Sequence, residues 1–283
     1  MSDAVRIEPE EVGYLSEALA VLQRACREAG VPFFVVGAAA RDILLEHVHE
    51  VPPFRRTGDV DIAVAVASWA EYEGLIGRLV RGYGFQKGRE AQRVTRRGLI
   101  VDMVPFGALA DEGREVEWPG RGQSMSVLGY PEAFDAAVAV RISDGAPFRV
   151  ASLPGNVVLK LVAWGENPHQ RKKDPIDICA IMMGYEHAVG DRLYTEHNDL
   201  LEGIDEVRVA CARILGRDIA ALLVEPTLRA RVLDLVRSNT EDEYDSPLVQ
   251  AMGMECHSDF VFRLRCFRAV RRGVEERAET EDA

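Results

Sequence analysis

Two aspartates separated by one residue are the side chains of this sequence best suited to chemistry. Asp59 and Asp61 open the stretch Asp59-Val60-Asp61-Ile62-Ala63-Val64-Ala65-Val66, whose alternation predicts a β-strand. Side chains of a strand alternate between its faces, so both carboxylates share one face, about 6–7 Å apart at the backbone. Their repulsion favours a bound divalent cation, and hard oxygen ligands suit Mg²⁺ or Mn²⁺.

A third carboxylate, Asp102, interrupts the apolar run Leu99-Ile100-Val101-Asp102-Met103-Val104. If its strand lies beside the strand of Asp59, three carboxylates converge and can hold two metal ions about 3.5–4 Å apart, as in-line phosphoryl transfer requires. Gly37 follows an apolar strand and precedes a helix, so its backbone can approach a ligand closely. The amides that open the helix can then receive phosphate oxygens.

Structural interpretations of the same residues remain open. Asp59 can cap a loop, Asp61 can pair with Arg56, and Asp102 can be a solvated residue at the edge of a sheet. A single Asp-x-Asp motif is common. The metal hypothesis therefore depends on the combination of Gly37, the Asp-x-Asp motif and the later strand aspartate.

The hydrophobic pattern predicts an α/β (α+β) fold: an N-terminal domain at 1–150 with a mixed sheet flanked by helices, and a helical domain at 151–283. Predicted in the first domain are helices at 9–29 and 38–46, a helix capped by Ser68, strands at 32–36, 59–66, 92–95 and 99–104, a loop over 107–123, and a hairpin of 136–143 with 148–150. Predicted in the second are helices at 154–164, 174–183, 199–215, 226–238 and 256–272, and a frayed acidic tail at 275–283. Asp174-Pro175 is expected to supply the N-cap and first residue of its helix.

Composition narrows the class of protein. The chain has 283 residues, a net charge of −12 and 47% hydrophobic residues, so it has ample material for a core. Its apolar runs are too short to span a bilayer, and its N-terminus lacks the features of a signal peptide. Five scattered cysteines predict free thiols in a reducing cytoplasm and argue against a zinc site. We therefore expect a cytoplasmic protein without a membrane partner.

The order of these motifs resembles the nucleotidyltransferase superfamily, which includes DNA polymerase β, the tRNA CCA-adding enzymes and the antibiotic nucleotidyltransferases. Gly37-Ala38, Asp59, Asp61 and Asp102 match its signature in order. The resemblance implies that the three aspartates are catalytic metal ligands for Mg²⁺ or Mn²⁺ and that an NTP is the substrate. The family's second glycine or serine is Ala38 here, so a hydroxyl that can contact the phosphates is absent.

The second half is similar to the AbiEii/AbiGii toxin family of type IV toxin–antitoxin systems. The similarity lies in Val150-Ala151-Ser152-Leu153, in Leu159-Lys160-Leu161-Val162-Ala163-Trp164 and in Arg171-Lys172-Lys173-Asp174-Pro175-Ile176-Asp177-Ile178. It implies an RNA acceptor, plausibly the 3′ end of a tRNA, and an antitoxin protein as partner. It also implies catalytic roles for Lys160 and for Asp177 or Asp174. The positions expected to bind the nucleotide are Gly37, Ala38, Arg41, Arg56, Thr57 and Lys160.

The residues of the helical half also have ordinary structural explanations. A lysine within an apolar helix, such as Lys160, is usually a surface residue whose ammonium reaches solvent. Near a triphosphate it would instead neutralise developing charge. Asp174 can be a helix cap, and Asp177 can interact with the helix dipole.

Two basic segments, 78–97 and 263–272, are candidates for RNA contact through Arg93 and Arg97 and through Arg265 and Arg268. Alternatively, the arginines of both segments are solvated surface residues that bind no RNA. A net charge of −12 fits a small cationic acceptor, such as an aminoglycoside, at least as well as RNA. The sequence thus leaves three hypotheses: an RNA nucleotidyltransferase, a small-molecule nucleotidyltransferase, and a nucleotide- or partner-binding module without turnover.

Overall fold

The computed structural model describes residues 4–53, 58–111, 114–120, 122–202, 205–242, 244–253 and 258–281. The chain divides into two compact units, one of residues 1–48 and 55–152 and the other of residues 49–54 and 153–283. The first unit is a mixed sheet with helices and the second is helical, which confirms the predicted fold class. None of the helices in the described ranges is long and apolar enough to cross a membrane.

The first unit contains ten strands and five α-helices within the described residues. In chain order these are β1 (Val5–Ile7), α1 (Pro9–Val12), α2 (Tyr14–Ala29), β2 (Phe33–Val36), α3 (Gly37–Asp42), a π-helical segment (Ile43–Val48), β3 (Asp59–Ala65), α4 (Trp69–Tyr83), β4 (Gln86–Lys87), β5 (Arg93–Arg96), β6 (Leu99–Phe106), β7 (Glu115–Trp118), β8 (Gln123–Ser126), α5 (Tyr130–Asp135), β9 (Val138–Ile142) and β10 (Phe148–Val150).

Eight of these strands form one sheet in the order β1-β9-β10-β2-β3-β6-β5-β4. At its centre β3 is antiparallel to β2 and parallel to β6, and β6 is antiparallel to β5. Val60, Ile62 and Val64 of β3 are fully buried, whereas the residues that alternate with them at the start of the strand are half-buried. The face of β3 that carries Asp59 and Asp61 is therefore only partly covered.

In the described part of the second unit, the regular structure consists of helices. In chain order these are α6 (Leu153–Glu166), α7 (Asp174–Val189), α8 (Arg192–Thr195), a 3₁₀ turn (Asn198–Leu200), α9 (Val207–Ala220), α10 (Pro226–Ser238), α11 (Pro247–Met252) and α12 (Phe260–Glu281). The helices α9 and α12 pack closely at Gly216 and Gly273, where a Cβ on either glycine would lie 2.1 Å from a backbone oxygen of the other helix.

Most predicted elements of the first unit are present, whereas β1, β4 and α5 were not predicted. The helix predicted at 38–46 is α3 followed by the π-helical segment, and two further predictions differ. The predicted helix at 9–29 is interrupted at Gly13, which has a positive φ of 50°, and therefore forms two helices. The predicted loop at 107–123 was wrong, because it contains β7 and the start of β8. The alternation that produces β7 is short: Val116 and Trp118 are buried and the glutamates between them are exposed.

In the second unit the prediction missed α8 and α11 and misplaced several helix ends. The helix predicted at 199–215 is a 3₁₀ turn followed by α9. Asp174 is the first residue of α7 rather than its N-cap, which is Lys173. Residues 275–281 of the tail predicted to fray continue α12, in which Glu275 and Glu276 pair with arginines on neighbouring helices. Residues 282–283 lie outside the described ranges.

Candidate active site

The register of two parallel strands brings the predicted carboxylates together. In the pairing of β3 with β6, Asp61 lies directly opposite Asp102. Asp59 lies two residues before Asp61 on the same face of β3, and all three side chains are half-buried. The adjacency that the sequence argument required is therefore present, and the role of these residues as metal ligands stays a prediction.

The Asp102 carboxylate is held by an arginine from the next strand. Arg93 of β5 lies opposite Asp102 in the antiparallel pairing with β6. Its Nε and Nη2 atoms donate hydrogen bonds of 2.8 Å each to the two carboxylate oxygens. The hydrogen bond to Asp102 is the largest cause of the raised pKa of Arg93. Burial opposes this increase, and the negative charges of Asp102, Glu90 and Asp59 add to it. We call Asp59, Asp61, Asp102 and Arg93 the strand cluster.

Gly37 shows why a glycine is needed at the strand–helix turn. Its φ of +68° lies in the left-handed region, which favours glycine. A Cβ at this position would lie 2.4 Å from an Asp61 carboxylate oxygen. The backbone of the first turn of α3 therefore approaches the carboxylate face as closely as the chain permits, and any side chain at position 37 would displace Asp61.

The donor set of the strand cluster suits a hard divalent cation, but the side chains do not yet form a metal site. Asp61 opposite Asp102, with Asp59 two residues earlier on β3, supplies the carboxylate oxygens that Mg²⁺ or Mn²⁺ prefers. Nevertheless, among the residues described, no group of three or more potential ligands is arranged to hold a metal ion. Both oxygens of Asp102 are engaged by Arg93 instead.

The other nucleotide-binding positions give a mixed result. Arg41 is almost fully buried in α3 and pairs with the adjacent Asp42, with an Nε–Oδ1 distance of 2.7 Å. Ala38, which replaces the family's glycine or serine, is buried in the same turn. Arg56 and Thr57 lie outside the described residues. All of these roles stay predictions.

Lys160 in the helical unit is a buried cation rather than the surface lysine that its pattern also allowed. It has an exposure of 7%, and its Nζ donates to Asp177 at 2.6 Å and to Asp174 at 3.2 Å. Burial lowers its pKa, but the charges and hydrogen bonds of Asp177 and Asp174 outweigh burial and leave the pKa raised. We call these three residues the helix cluster. Its part in an active site stays a prediction.

The arginines proposed for RNA contact already have partners. Arg97 donates to Glu17 at 3.0 Å, Arg265 pairs with Asp205, and the Nε of Arg268 donates to the backbone oxygen of Thr240 at 3.1 Å. Arg93 belongs to the strand cluster. None of these contacts tests RNA binding, which stays a prediction for all four arginines.

The sequence argument missed the pairing of Arg93 with Asp102, although a signal for it was present. Arg97 and Gly98 both have positive φ, 49° and 85°, as in the tight two-residue turn that joins twisted strands. Such a turn pairs Arg96 with Leu99, and counting back along the two strands then sets Arg93 opposite Asp102. The turn therefore predicts this pair once its length is recognised.

The first unit is thus a mixed α/β sheet on which Asp59, Asp61 and Asp102 lie together beside the turn at Gly37. No protein-family model matches the chain, and no curated protein matches it. Among solved structures it is similar to the antibiotic-resistance factor ANT(2'')-Ia, at 16% identity and a TM-score of 0.35, over 66% of this chain and 94% of that chain.

A nucleotidyltransferase-like protein from Paracoccidioides brasiliensis is similar at 16% identity and a TM-score of 0.40, over 72% of this chain and 94% of that chain. The CCA-adding enzyme of Thermotoga maritima, solved with tRNA, is similar at 13% identity and a TM-score of 0.34, over 96% of this chain and 82% of that chain.

Proposed function

We propose that this chain is a metal-dependent nucleotidyltransferase, which transfers a nucleoside monophosphate from an NTP to a hydroxyl and releases pyrophosphate. The observation that carries the proposal is the register of β3 and β6, which sets Asp61 opposite Asp102 with Asp59 on the same face. The turn at Gly37 adds backbone amides directly beside Asp61.

Each residue has a defined task in this reaction. Asp59, Asp61 and Asp102 would hold the divalent cation, which, when bound, neutralises charge on the triphosphate and lowers the pKa of the acceptor hydroxyl. The amides after Gly37 receive phosphate oxygens. Asp102 accepts the proton of the acceptor hydroxyl while the oxygen of that hydroxyl bonds to the α-phosphorus. The bond from that phosphorus to the bridging oxygen breaks, and pyrophosphate leaves.

The leading acceptor is the 3′ end of an RNA such as a tRNA, which would make the protein a type IV toxin-like enzyme neutralised by an antitoxin. The support is the sequence resemblance around Lys160 and Asp177 together with the two arginine-rich segments. An RNA acceptor requires those arginines to exchange their present acidic partners for phosphates.

A small cationic acceptor, such as an aminoglycoside, is the second candidate, and one observation favours it. The arginines proposed for RNA are already neutralised, for example Arg97 by Glu17 and Arg265 by Asp205. With a net charge of −12, the chain attracts cations more readily than polyanions.

The test is incubation of the protein with Mg²⁺ and each α-labelled NTP in turn, with total RNA in one arm and an aminoglycoside panel in another. Label in RNA on a denaturing gel, or in the aminoglycoside on a thin-layer plate, identifies the acceptor. Asp61→Asn is the control that should transfer nothing. NTP binding without pyrophosphate release in any arm would contradict the proposal and favour a binding module without turnover.

A further inference from the structure

The contact between Arg93 and Asp102 occupies both oxygens of one of the three carboxylates proposed to hold the metal ion. The guanidinium binds the carboxylate through two parallel hydrogen bonds of 2.8 Å, which fix the plane of the carboxylate as well as its position. The side chains of Arg93 and Asp102 are 29% and 14% exposed, so water reaches the pair. If Asp102 joins Asp61 around one cation, that cation repels the guanidinium, which favours opening of this fork.

A second carboxylate is available to Arg93 when the fork opens. Its Nη1 atom already lies 3.4 Å from a carboxylate oxygen of Glu90, whose side chain is 48% exposed. Arg93 also lines a cavity of about 470 Å³ whose walls include Glu73, Glu90 and Trp118. The guanidinium therefore has both space and a counter-charge on the side away from Asp102.

We propose that Arg93 is a displaceable counter-cation: it holds Asp102 while no metal is bound and turns toward Glu90 when a divalent ion takes its place. The inference rests on the proposed function, because it assumes that Asp102 is a metal ligand. It makes Arg93 a positioning residue that sets metal affinity. A cation and a guanidinium cannot both neutralise Asp102 without mutual repulsion, so each weakens the binding of the other.

The test measures Mn²⁺ affinity of the full chain in the absence of nucleotide, by isothermal titration calorimetry and by the electron paramagnetic resonance signal of free Mn²⁺. Arg93→Ala should tighten Mn²⁺ binding by about tenfold, as expected when a charge-assisted hydrogen-bonded competitor is removed. Glu90→Gln should weaken it by roughly twofold, because the displaced guanidinium loses its alternative partner.

Two variants separate displacement from a general charge effect. Arg96→Ala removes an equal charge from the same strand on the opposite face, and it should leave Mn²⁺ affinity within about twofold of the wild type. Arg93→Lys keeps the charge but loses the two-pronged contact, so its affinity should fall between those of the wild type and Arg93→Ala.

A double-mutant cycle tests whether Arg93 affects Mn²⁺ affinity through its contact with Asp102. In an Asp102→Asn background, Arg93→Ala should no longer change Mn²⁺ affinity. Unchanged or weaker Mn²⁺ binding in Arg93→Ala, or an equal gain in Arg96→Ala, overturns the inference. If nucleotidyl transfer is nevertheless detected, the proposed function survives alone; if no transfer occurs but the cycle behaves as described, the counter-cation survives alone.

Discussion

The strand cluster and the helix cluster both combine aspartates with a single cation, yet their surroundings differ. In the strand cluster the Arg93 guanidinium holds Asp102, and the side chains of this pair are 29% and 14% exposed. In the helix cluster one ammonium bridges two carboxylates, and the side-chain exposures of Lys160, Asp174 and Asp177 are 8%, 12% and 1%.

This difference in burial and charge balance separates two tasks. The four side chains of the strand cluster sum to a formal charge of −2, and its three aspartates are only half-buried, which is consistent with the proposed metal site. The ion pair of the helix cluster is almost removed from water, where an unpaired charge is costly, so each member needs the others to remain stable. We therefore expect substitutions in the strand cluster to affect catalysis and those in the helix cluster to affect folding.

The largest expected effect is on catalysis by the strand cluster. Asp61→Asn should reduce nucleotidyl transfer by about a thousandfold or more, since the proposed function makes Asp61 a metal ligand. The free energy of unfolding without metal should change by no more than about 1 kcal/mol, because the substitution relieves repulsion between carboxylates. Rates of label transfer and urea unfolding give both values. Full activity in this variant would refute the metal-site assignment.

A smaller effect, on stability, is expected from the helix cluster. Lys160→Met should lower the free energy of unfolding by about 3 kcal/mol, because two buried carboxylates lose their counter-charge. Arg93→Met, the matched variant of the strand cluster, should cost no more than about 1 kcal/mol. Urea unfolding curves compare the two. Equal losses would remove the distinction between the clusters.

The Lys160 contribution should also depend on pH in a defined direction. Its folded-state pKa is raised above the ordinary value of 10.5, so its stabilisation is fully present below pH 10.5 and is lost as the pH rises through the folded value. The stability gap between the wild type and Lys160→Met should thus stay constant between pH 7 and 10 and close at higher pH. A gap that closes on going from pH 7 to 9 would contradict this ion pair.

The smallest expected effect concerns the acceptor. If RNA is the acceptor, Arg265→Ala with Arg268→Ala should flatten the log–log salt dependence of RNA binding by about 0.7 for each lost phosphate contact. Arg97→Ala tests the other basic segment, and NTP affinity should not change in either variant. An unchanged salt slope in both variants would make these arginines solvated surface and favour the small cationic acceptor.

Local chemistry explains which parts of the molecule were predictable. Ser68 caps α4, and Gly30 ends α2 in a left-handed conformation, because both features depend on neighbouring residues alone. The strand of Asp59 and the turn at Gly37 were predictable for the same reason. The β7–β8 hairpin was not, because its four-residue strands carry too little alternation to stand out from a glycine-rich loop.

The sequence by itself determined the chemistry of the candidate site: three aspartates in apolar strands, a glycine before a helix, and a lysine in an apolar segment. Only the tertiary structure decided which charges neutralise Lys160. The pairing of Arg93 with Asp102 follows from the short turn at Arg97 and Gly98, which sets the register of β5 and β6. The pairing of Lys160 with Asp174 and Asp177 depends on the packing of α6 against α7. In the unfolded chain these three charges are equally available to other partners, so the local pattern cannot select among them.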